Sequence, residues 1–247
     1  MPDKYIQMKI ALIGYGKMGK AIETIALEQH HEVVLKIDVD NAADFTAEKM
    51  ALADVAIEFT GPHSAVENIL KCLSFGIPVV SGSTGWLDQW EKVANYCSEH
   101  NGTFIYSSNY SIGVNLFFEV NKYLARLMEQ YPSYDVFLKE IHHTQKKDAP
   151  SGTAISLAEQ VLQGLSRKTN WTNDAVTPNS NLLAIESERI DPAPGTHHVK
   201  YTSAIDDIEI IHTAHNRTGF AGGAVKAAQF AIGKKGIYTM KEVLGLP

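Results

Sequence analysis

Lys9-Ile10-Ala11-Leu12-Ile13-Gly14-Tyr15-Gly16-Lys17-Met18-Gly19 is the stretch that decides the fold class. A short apolar strand runs straight into a Gly-x-Gly-x-x-Gly loop. Beyond the loop, Ala21, Ile22, Ile25, Ala26 and Leu27 recur at helical spacing. The next expected strand, 32–38, ends on Asp38, 19 residues after Gly19. This is the layout of a dinucleotide fingerprint. The first glycine permits the tight turn, the second lets a pyrophosphate approach the backbone, and the third lets helix and strand pack closely. The helix start then offers unpaired N–H groups to phosphate. A plain glycine-rich turn is the alternative, and the strand, helix and acid around the loop argue against it.

Working outward, the α/β rhythm continues. Strands are expected at 54–59, 77–80 and 103–106, alternating with helical patterns, so the sheet should be parallel and covered on both faces. Their ends carry Phe59-Thr60, Gly82-Ser83-Thr84 and Ser107-Ser108-Asn109-Tyr110. Ligands of such sheets bind beyond the carboxyl ends of the strands, and small residues there leave room for a nicotinamide. Turn chemistry alone would also use Gly, Ser and Asn; the coincidence of three such ends favours a ligand. Ser64 with Glu67, and Thr239 with Glu242, fit capping boxes at helix starts.

The pattern changes at 109–115. Leu116, Val120, Leu124, Leu127 and Tyr131 predict one face of a long helix closed by Pro132. A strand at 135–139 follows. Next comes the polar junction Glu140-Ile141-His142-His143-Thr144-Gln145-Lys146-Lys147-Asp148-Ala149-Pro150-Ser151-Gly152-Thr153-Ala154, and then a helix to Leu165. Residues 166–180 read as a long polar loop. Strands are expected at 182–190, 196–205 and 207–214. Asp191-Pro192-Ala193-Pro194-Gly195 should turn the first pair and Asp206-Asp207 the second, giving largely antiparallel pairing. Ala224, Val225, Ala228 and Ile232 mark one face of a helix that returns to the first domain. The expected protein is therefore α/β. A Rossmann-type dinucleotide-binding domain covers 1–108 and 216–247. A smaller α+β domain for substrate and oligomerisation, with a mixed, largely antiparallel sheet, covers 109–215.

The whole chain limits the partners. Its 247 residues give ample room for a core. A net charge of -6 without a basic run excludes nucleic acid. Residues 1–5 carry no signal-type apolar region, and no apolar run approaches a membrane span. Cys72 and Cys97 both fall in helical segments and suit a reducing cytoplasm better than a disulfide framework.

The polar junction carries the chemistry. Each imidazole of His142 and His143 is an acid suited to neutral pH, since free histidine titrates near pH ~6.5. Adjacent residues of a strand point to opposite faces, so both cannot meet one small substrate unless the strand bends. Lys146 and Lys147 add positive charge, and Pro150-Ser151-Gly152-Thr153 at a helix start suits a carboxylate. Together they suggest an anionic substrate that must receive a proton. A plainer reading stays open on these residues alone: exposed histidines, solvated lysines and a serine cap. A metal is not expected. Neighbouring histidines rarely share an ion, there is no His-Glu-x-x-His, neither cysteine has a partner at ligand spacing, and His212 and His215 would face opposite sides of a strand.

The junction resembles the signature of the 4-hydroxy-tetrahydrodipicolinate reductase (dihydrodipicolinate reductase) family, E-x-H-H-x-x-K-x-D-x-P-S-G-T, and every fixed position is present. The resemblance extends to 14–19, Phe59-Thr60, 82–85, 109–115 and 212–224. It implies a lysine and diaminopimelate pathway enzyme that reduces a cyclic dicarboxylate with hydride from a nicotinamide cofactor. Such enzymes are homotetramers assembled through the second domain's sheet. By position, His142 resembles the proton donor and Lys146 its catalytic partner. His143, Ser151, Gly152 and Thr153 resemble the grip on substrate carboxylate. Gly14, Tyr15, Gly16, Lys17, Met18 and Gly19 would hold the pyrophosphate, and Asp38 the adenosine ribose. Phe59, Thr60, Gly82, Ser83, Thr84, Ser107, Ser108, Asn109 and Tyr110 would surround the nicotinamide. Lys147 is left as a surface charge.

Two departures from the family pattern bear on the cofactor. The glycine loop is one residue tighter than the common GxxGxxG form, and Val39 and Asp40 follow Asp38 with no Arg to meet a 2′-phosphate. A carboxylate at the ribose hydroxyls favours NADH and repels NADPH. Lys17 offsets part of that repulsion, so NADH is the expected preference with NADPH also accepted. Two rivals differ in kind. One is another two-domain nicotinamide dehydrogenase, acting on a semialdehyde or amino acid. The other is a cofactor-sensing regulator, which would carry a basic patch or helix-turn-helix that this chain lacks.

Overall fold

The computed structural model describes residues 7–175, 180–216 and 218–247. The expectation for 1–5, and the part of the 166–180 loop at 176–179, lie outside the described residues. The chain divides into two compact units, Met1–Ile112 with Thr218–Pro247, and Gly113–Arg217. No helix among the described residues is long and apolar enough to cross a membrane.

The first unit opens with β1 (Lys9–Ile13), α1 (Lys17–Glu28), β2 (Glu32–Ile37), α2 (Ala47–Met50), β3 (Val55–Glu58), α3 (Ala65–Ser74), β4 (Val79–Ser81), α4 (Trp90–Glu99) and β5 (Thr103–Tyr106). The strand alternation that places successive side chains on opposite faces builds two cores. From β1, Ile10 and Leu12 join Ile22, Ala26 and the C-terminal helical residues on one face; Ala11 and Ile13 join Met50, Ile69 and Val93 on the other. Strands buried on both faces need continuous apolar runs, and these have them.

The second unit contains α5 (Ile112–Met128), β6 (Asp135–His142), α6 (Gly152–Gly164), β7 (Asn170–Thr172), β8 (Leu182–Arg189), β9 (Gly195–Thr202) and β10 (Asp207–Ala214). The chain then returns to the first unit with α7 (Thr218–Ala231), β11 (Gly236–Tyr238) and α8 (Met240–Leu244). In the first unit the six strands run in the order β11-β5-β4-β3-β1-β2, with every ladder parallel. The edge strand β11 is too short to show a periodic signal. Gly223 of α7 lets that helix close on the main chain of Tyr110, where a Cβ would stand 1.7 Å from the carbonyl oxygen.

Four sequence expectations are corrected. The run 191–195 does not turn a hairpin. The second sheet is ordered β10-β9-β6-β8-β7, so β6 lies between β8 and β9. Two ladders are antiparallel and two parallel, because α6 provides the long crossover that parallel β6 and β8 require. The supposed turn instead passes the end of β6, where Ile190 N–H donates to His142 O at 2.7 Å. Second, α5 buries Val114, Phe117, Asn121, Ala125 and Met128, and leaves Leu116, Val120 and Leu127 about half exposed. The helix is apolar on two sides, and only packing chooses between them. Ala125 is the face that admits Gly164 of α6, while Asn121 Nδ2 donates to Leu157 O at 3.0 Å. Tyr131 lies beyond the helix end.

Third, the 166–180 loop includes strand β7, anchored by the buried Lys168, whose Nζ sits 2.6 Å from Asp135 and donates to Ser180 O at 2.6 Å. Fourth, Ser64 heads α3 but makes no capping bond; its hydroxyl turns back to Thr60 Oγ1 at 3.0 Å. The Thr239–Glu242 box forms as expected.

Candidate active site

In the first unit, β2 and β3 flank β1 on opposite sides, so the direction of winding reverses there. Crevices at such switch points bind ligands. The glycine loop fills one side of the crevice. Gly14 has φ +93°, and a Cβ on it would stand 2.2 Å from Phe59 O; one on Gly19 would stand 2.3 Å from Gly14 O. Gly16, by contrast, faces open space. It also precedes α1 with no side-chain cap, and no acid occupies the first turn. The start of α1 thus leaves its main-chain N–H groups without a side-chain cap, which fits a pyrophosphate. A cavity of about 480 Å³ follows, lined by Gly16, Lys17, Met18, Thr60, Ser83 and Thr84 among others.

The wall of that cavity is organised by a residue the sequence reading passed over. Glu58 is fully buried at the end of β3. Its carboxyl group accepts from Thr60 N–H at 2.9 Å and Ser83 Oγ at 2.7 Å, and from the hydroxyls of Thr60 and Ser81. The two loops expected beside the nicotinamide are therefore tied to one group. Asp38 stands exposed just past β2, accepting from Val39 N–H at 2.9 Å. Tyr15 packs under Lys36 with Nζ 4.8 Å from the ring centre, and its hydroxyl meets Glu23. Ser107 Oγ donates to Asn109 O at 2.7 Å, and Ser108 is exposed. The Tyr110 side chain is buried in the core, and its hydroxyl donates to Ser81 O at 2.7 Å. Burial holds that phenol well above its ordinary range.

In the second unit the polar junction forms at the end of β6. His142 is the last strand residue and is buried; His143 is half-buried and lines a cavity of about 340 Å³ with Gln145, Asp191 and Asn216. Thr144 holds the bend, donating its N–H to Asp191 at 3.2 Å. Lys146 lies half-buried, its Nζ 2.8 Å from Asp148, while Lys147 is exposed. Ser151 caps α6, accepting from Ala154 N–H at 3.2 Å, and Gly152 and Thr153 form the first turn.

Three residues without an assigned role hold these parts together. Glu140, fully buried, accepts the Ser151 N–H at 3.1 Å and the Arg189 Nη2–H at 3.1 Å. The third, His197, places its ring centre 5.1 Å from that of His142, and its Nε2 is 3.3 Å from Ser151 Oγ. Sheet register explains the meeting. Glu140 lies opposite His197 on β9 and Ser187 on β8, and His142 lies opposite Arg189. The His197-His198 pair was visible in the sequence; its position across from Glu140 was not. Glu140, His142 and His197 also present ligand atoms within 4.8 Å of one another, as a metal site would. The Arg189 guanidinium on the same carboxylate supplies the positive charge that an ion would bring.

The electrostatics follow from this crowding. Burial pushes the Glu140 carboxyl up, but hydrogen bonds from Ser151, Ser187 and Arg189 and the nearby His142 outweigh it, leaving it below its ordinary range. Burial pushes His142 down, aided by Lys146 and Arg189 and opposed by Glu140 and Asp148. His197 is pushed down to about 3 by burial and the neighbouring His142.

Comparison with known proteins covers nearly all of the chain. Residues 8–110 match the family described as dihydrodipicolinate reductase, N-terminus, and residues 113–244 the one described as dihydrodipicolinate reductase, C-terminus. A 4-hydroxy-tetrahydrodipicolinate reductase from Christiangramia forsetii is 47% identical over 241 residues, covering 96% of this chain and 98% of the relative. One from Methanoregula boonei is 33% identical, covering 96% of this chain and 98% of the relative. Among solved structures, the dipicolinate-bound dihydrodipicolinate reductase from Paenisporosarcina sp. TG-14 superposes with a TM-score of 0.77 at 23% identity, covering 96% of this chain and 99% of that one. At that identity it speaks for the fold.

The buried imidazoles have a consequence for stability. His31, His142, His197 and His212 are all held below the ordinary histidine value, with burial the leading cause. On unfolding each takes up a proton below pH ~6.5, so the unfolded state binds more protons and stability falls as pH drops. Urea unfolding should therefore show a lower midpoint at pH 5.5 than at pH 7, above the carboxylate range. His197→Gln should reduce that pH slope by up to ~1.4 kcal/mol per pH unit, the effect of one proton.

Proposed function

The chain belongs to the dihydrodipicolinate reductase family, and we propose that its two units supply a hydride site and a proton site respectively. The protein is an oxidoreductase that uses a nicotinamide dinucleotide to reduce 4-hydroxy-tetrahydrodipicolinate in lysine and diaminopimelate biosynthesis. That substrate is a small cyclic dicarboxylate. A hydride and a proton enter it and water leaves, so the protein must hold an anionic ring and furnish one proton.

When bound, the nicotinamide supplies the hydride. On our reading the residues of the 14–19 loop hold the pyrophosphate and Asp38 the adenosine ribose. Phe59, Thr60, Gly82, Ser83 and Thr84, with Ser107, Ser108, Asn109 and Tyr110, border the nicotinamide. The open space at Gly16 and the uncapped start of α1 support this assignment. In the second unit His142 donates the proton, Lys146 offsets negative charge on the ring and its carboxylates, and His143, Ser151, Gly152 and Thr153 grip a carboxylate. The observation that carries the assignment is a buried imidazole at the end of β6, beside the start of α6. An acid of matched pKa contributes ~10²–10⁴-fold to such a step. A fixed ammonium in a partly dehydrated site acts more strongly than in water.

A modest NADH preference is part of the proposal. Asp38 is exposed to meet ribose hydroxyls. Lys36, one strand period before Asp38, is already paired with Glu23 at 2.8 Å and is less available to a 2′-phosphate. The buried free thiols Cys72 and Cys97 fit a reducing compartment such as the cytoplasm. The outer face of the second sheet supports assembly as a homotetramer. Phe137, Ile141 and Ile211 lie there among paired Lys139, Glu188, His198 and Glu209.

Steady-state kinetics with 4-hydroxy-tetrahydrodipicolinate-dependent NADH oxidation should show His142→Gln lowering kcat ~10²–10⁴-fold with cofactor binding little changed. Turnover near wild type would remove His142 from the mechanism. Lys146→Ala should raise KM for the dicarboxylate and lower kcat together, and an effect on neither would remove Lys146. Measured side by side, kcat/KM should be greater with NADH than with NADPH; a strong NADPH bias overturns the Asp38 reading. Light scattering should give the mass of four chains, and Ile211→Glu should reduce it if the sheet is the interface.

A further inference from the structure

The catalytic stretch runs from Glu140 to Ser151 as strand end, bend, loop and helix start, and apart from the Lys146 N–H on His143 O at 3.1 Å the residues expected to touch substrate do not hold one another in place. Glu140 and Arg189 do. Glu140 is the only acid of the stretch that is fully buried, and both its oxygens face the Ser151 N–H at 3.1 Å. Its Oε2 is 3.4 Å from Nδ1 of His142, a buried ring nitrogen with no hydrogen-bond partner of its own. Its Oε1 receives Arg189 Nη2 at 3.1 Å. Arg189 in turn donates to Lys146 O at 3.3 Å and Asp148 O at 2.6 Å, strapping down the loop that carries Lys146. One ion pair therefore reaches the proton donor, the lysine loop and the anion turn.

We propose that Glu140 is a positioning residue for the proton transfer, and that Arg189 is the counterion and strap that keeps it so. The carboxylate beside Nδ1 favours the Nδ1–H tautomer of neutral His142 and stabilises its imidazolium, which leaves Nε2 as the atom that exchanges a proton with substrate. The arrangement leaves room at Nε2. Gly195 approaches it on β9, and a Cβ at that position would stand 3.1 Å away. The same carboxylate fixes the main chain of Ser151, so the acid and the carboxylate grip share one anchor. The proposal rests on His142 being the proton donor.

The groups facing His142 determine the expected pH response. Glu140 lies on its own strand, His197 on β9, Arg189 on β8, and Lys146 and Asp148 on the loop. In Glu140→Gln the anion nearest the imidazole is gone while Lys146 and Arg189 remain, so protonated His142 is disfavoured. The alkaline limb of the kcat–pH profile of the full-length enzyme should move to lower pH. At pH 7.5 kcat should fall ~10-fold or more. NADH affinity, read by fluorescence titration, should stay within about twofold, since the first unit is untouched. A purely structural role would lower the amount of active enzyme without moving the limb. A folded Glu140→Gln enzyme with wild-type kcat and pH profile overturns the proposal. If that variant does not fold, ¹⁵N NMR of the imidazoles in the wild-type protein decides, with His142→Gln used to assign the resonance. Neutral His142 should carry its proton on Nδ1, and the Nε2–H tautomer would overturn the proposal. An inactive His142→Gln beside a normal Glu140→Gln sinks the positioning role alone, whereas an active His142→Gln sinks the donor reading on which it rests.

Discussion

The contact on which the second unit's site depends is the ion pair between Glu140 and Arg189. A carboxylate with no solvent exposure is costly unless charge and hydrogen bonds compensate it, and here a guanidinium, a main-chain N–H and a hydroxyl do so. Such a pair adds little net stability compared with a well-packed apolar replacement. What it does provide is geometry. Arg189 reaches two carbonyls of the loop as well as the carboxylate, a fork that lysine cannot reproduce, so a segment without regular structure acquires fixed ends.

The first unit solves a similar problem by different means. Glu58 ends β3 as Glu140 stands near the end of β6, and both are fully buried. Glu58 has no cationic partner among the described residues and relies on the Thr60 N–H and three hydroxyls. The location of both follows from sheet geometry. Where strands stop, main-chain groups lose their ladder partners and loops from neighbouring strands converge, so one acceptor can collect donors from several segments. In each unit the acid lies beneath residues expected to touch ligand, which lets the upper groups stay few and uncommitted.

How much of this was legible from sequence depended on the range of the interaction. The glycine loop could be read because its requirements are local. Gly14 needs its turn and Gly19 its close approach within a few residues of one another, and the structure places both against main-chain oxygens. The Thr239 capping box was legible for the same reason, whereas Ser64 found a competing hydroxyl on Thr60 just upstream. On α5, periodicity could not choose between two apolar faces, because burial is set by what packs against the helix. The 191–195 run had the composition of a hairpin turn, yet α6 had already given β8 a parallel partner, and the chain had to pass β6 to reach its other side.

The residues expected to carry chemistry in the second unit lie within one short segment, and their types and spacing suggested an acid, a cation and an anion-binding turn while leaving a plainer reading open; only the family resemblance of the whole motif chose between them. The parallel sheet and its glycine crevice follow from local pattern. The tertiary structure alone decided what stands behind those groups. His197 is 57 residues from Glu140 and Arg189 is 47 residues from His142 along the chain, and only the register of β6 with its two neighbours sets them side by side. Strand register is fixed by burial of whole faces and by the crossover between strands, which are long-range packing constraints that no spacing within a segment can reveal.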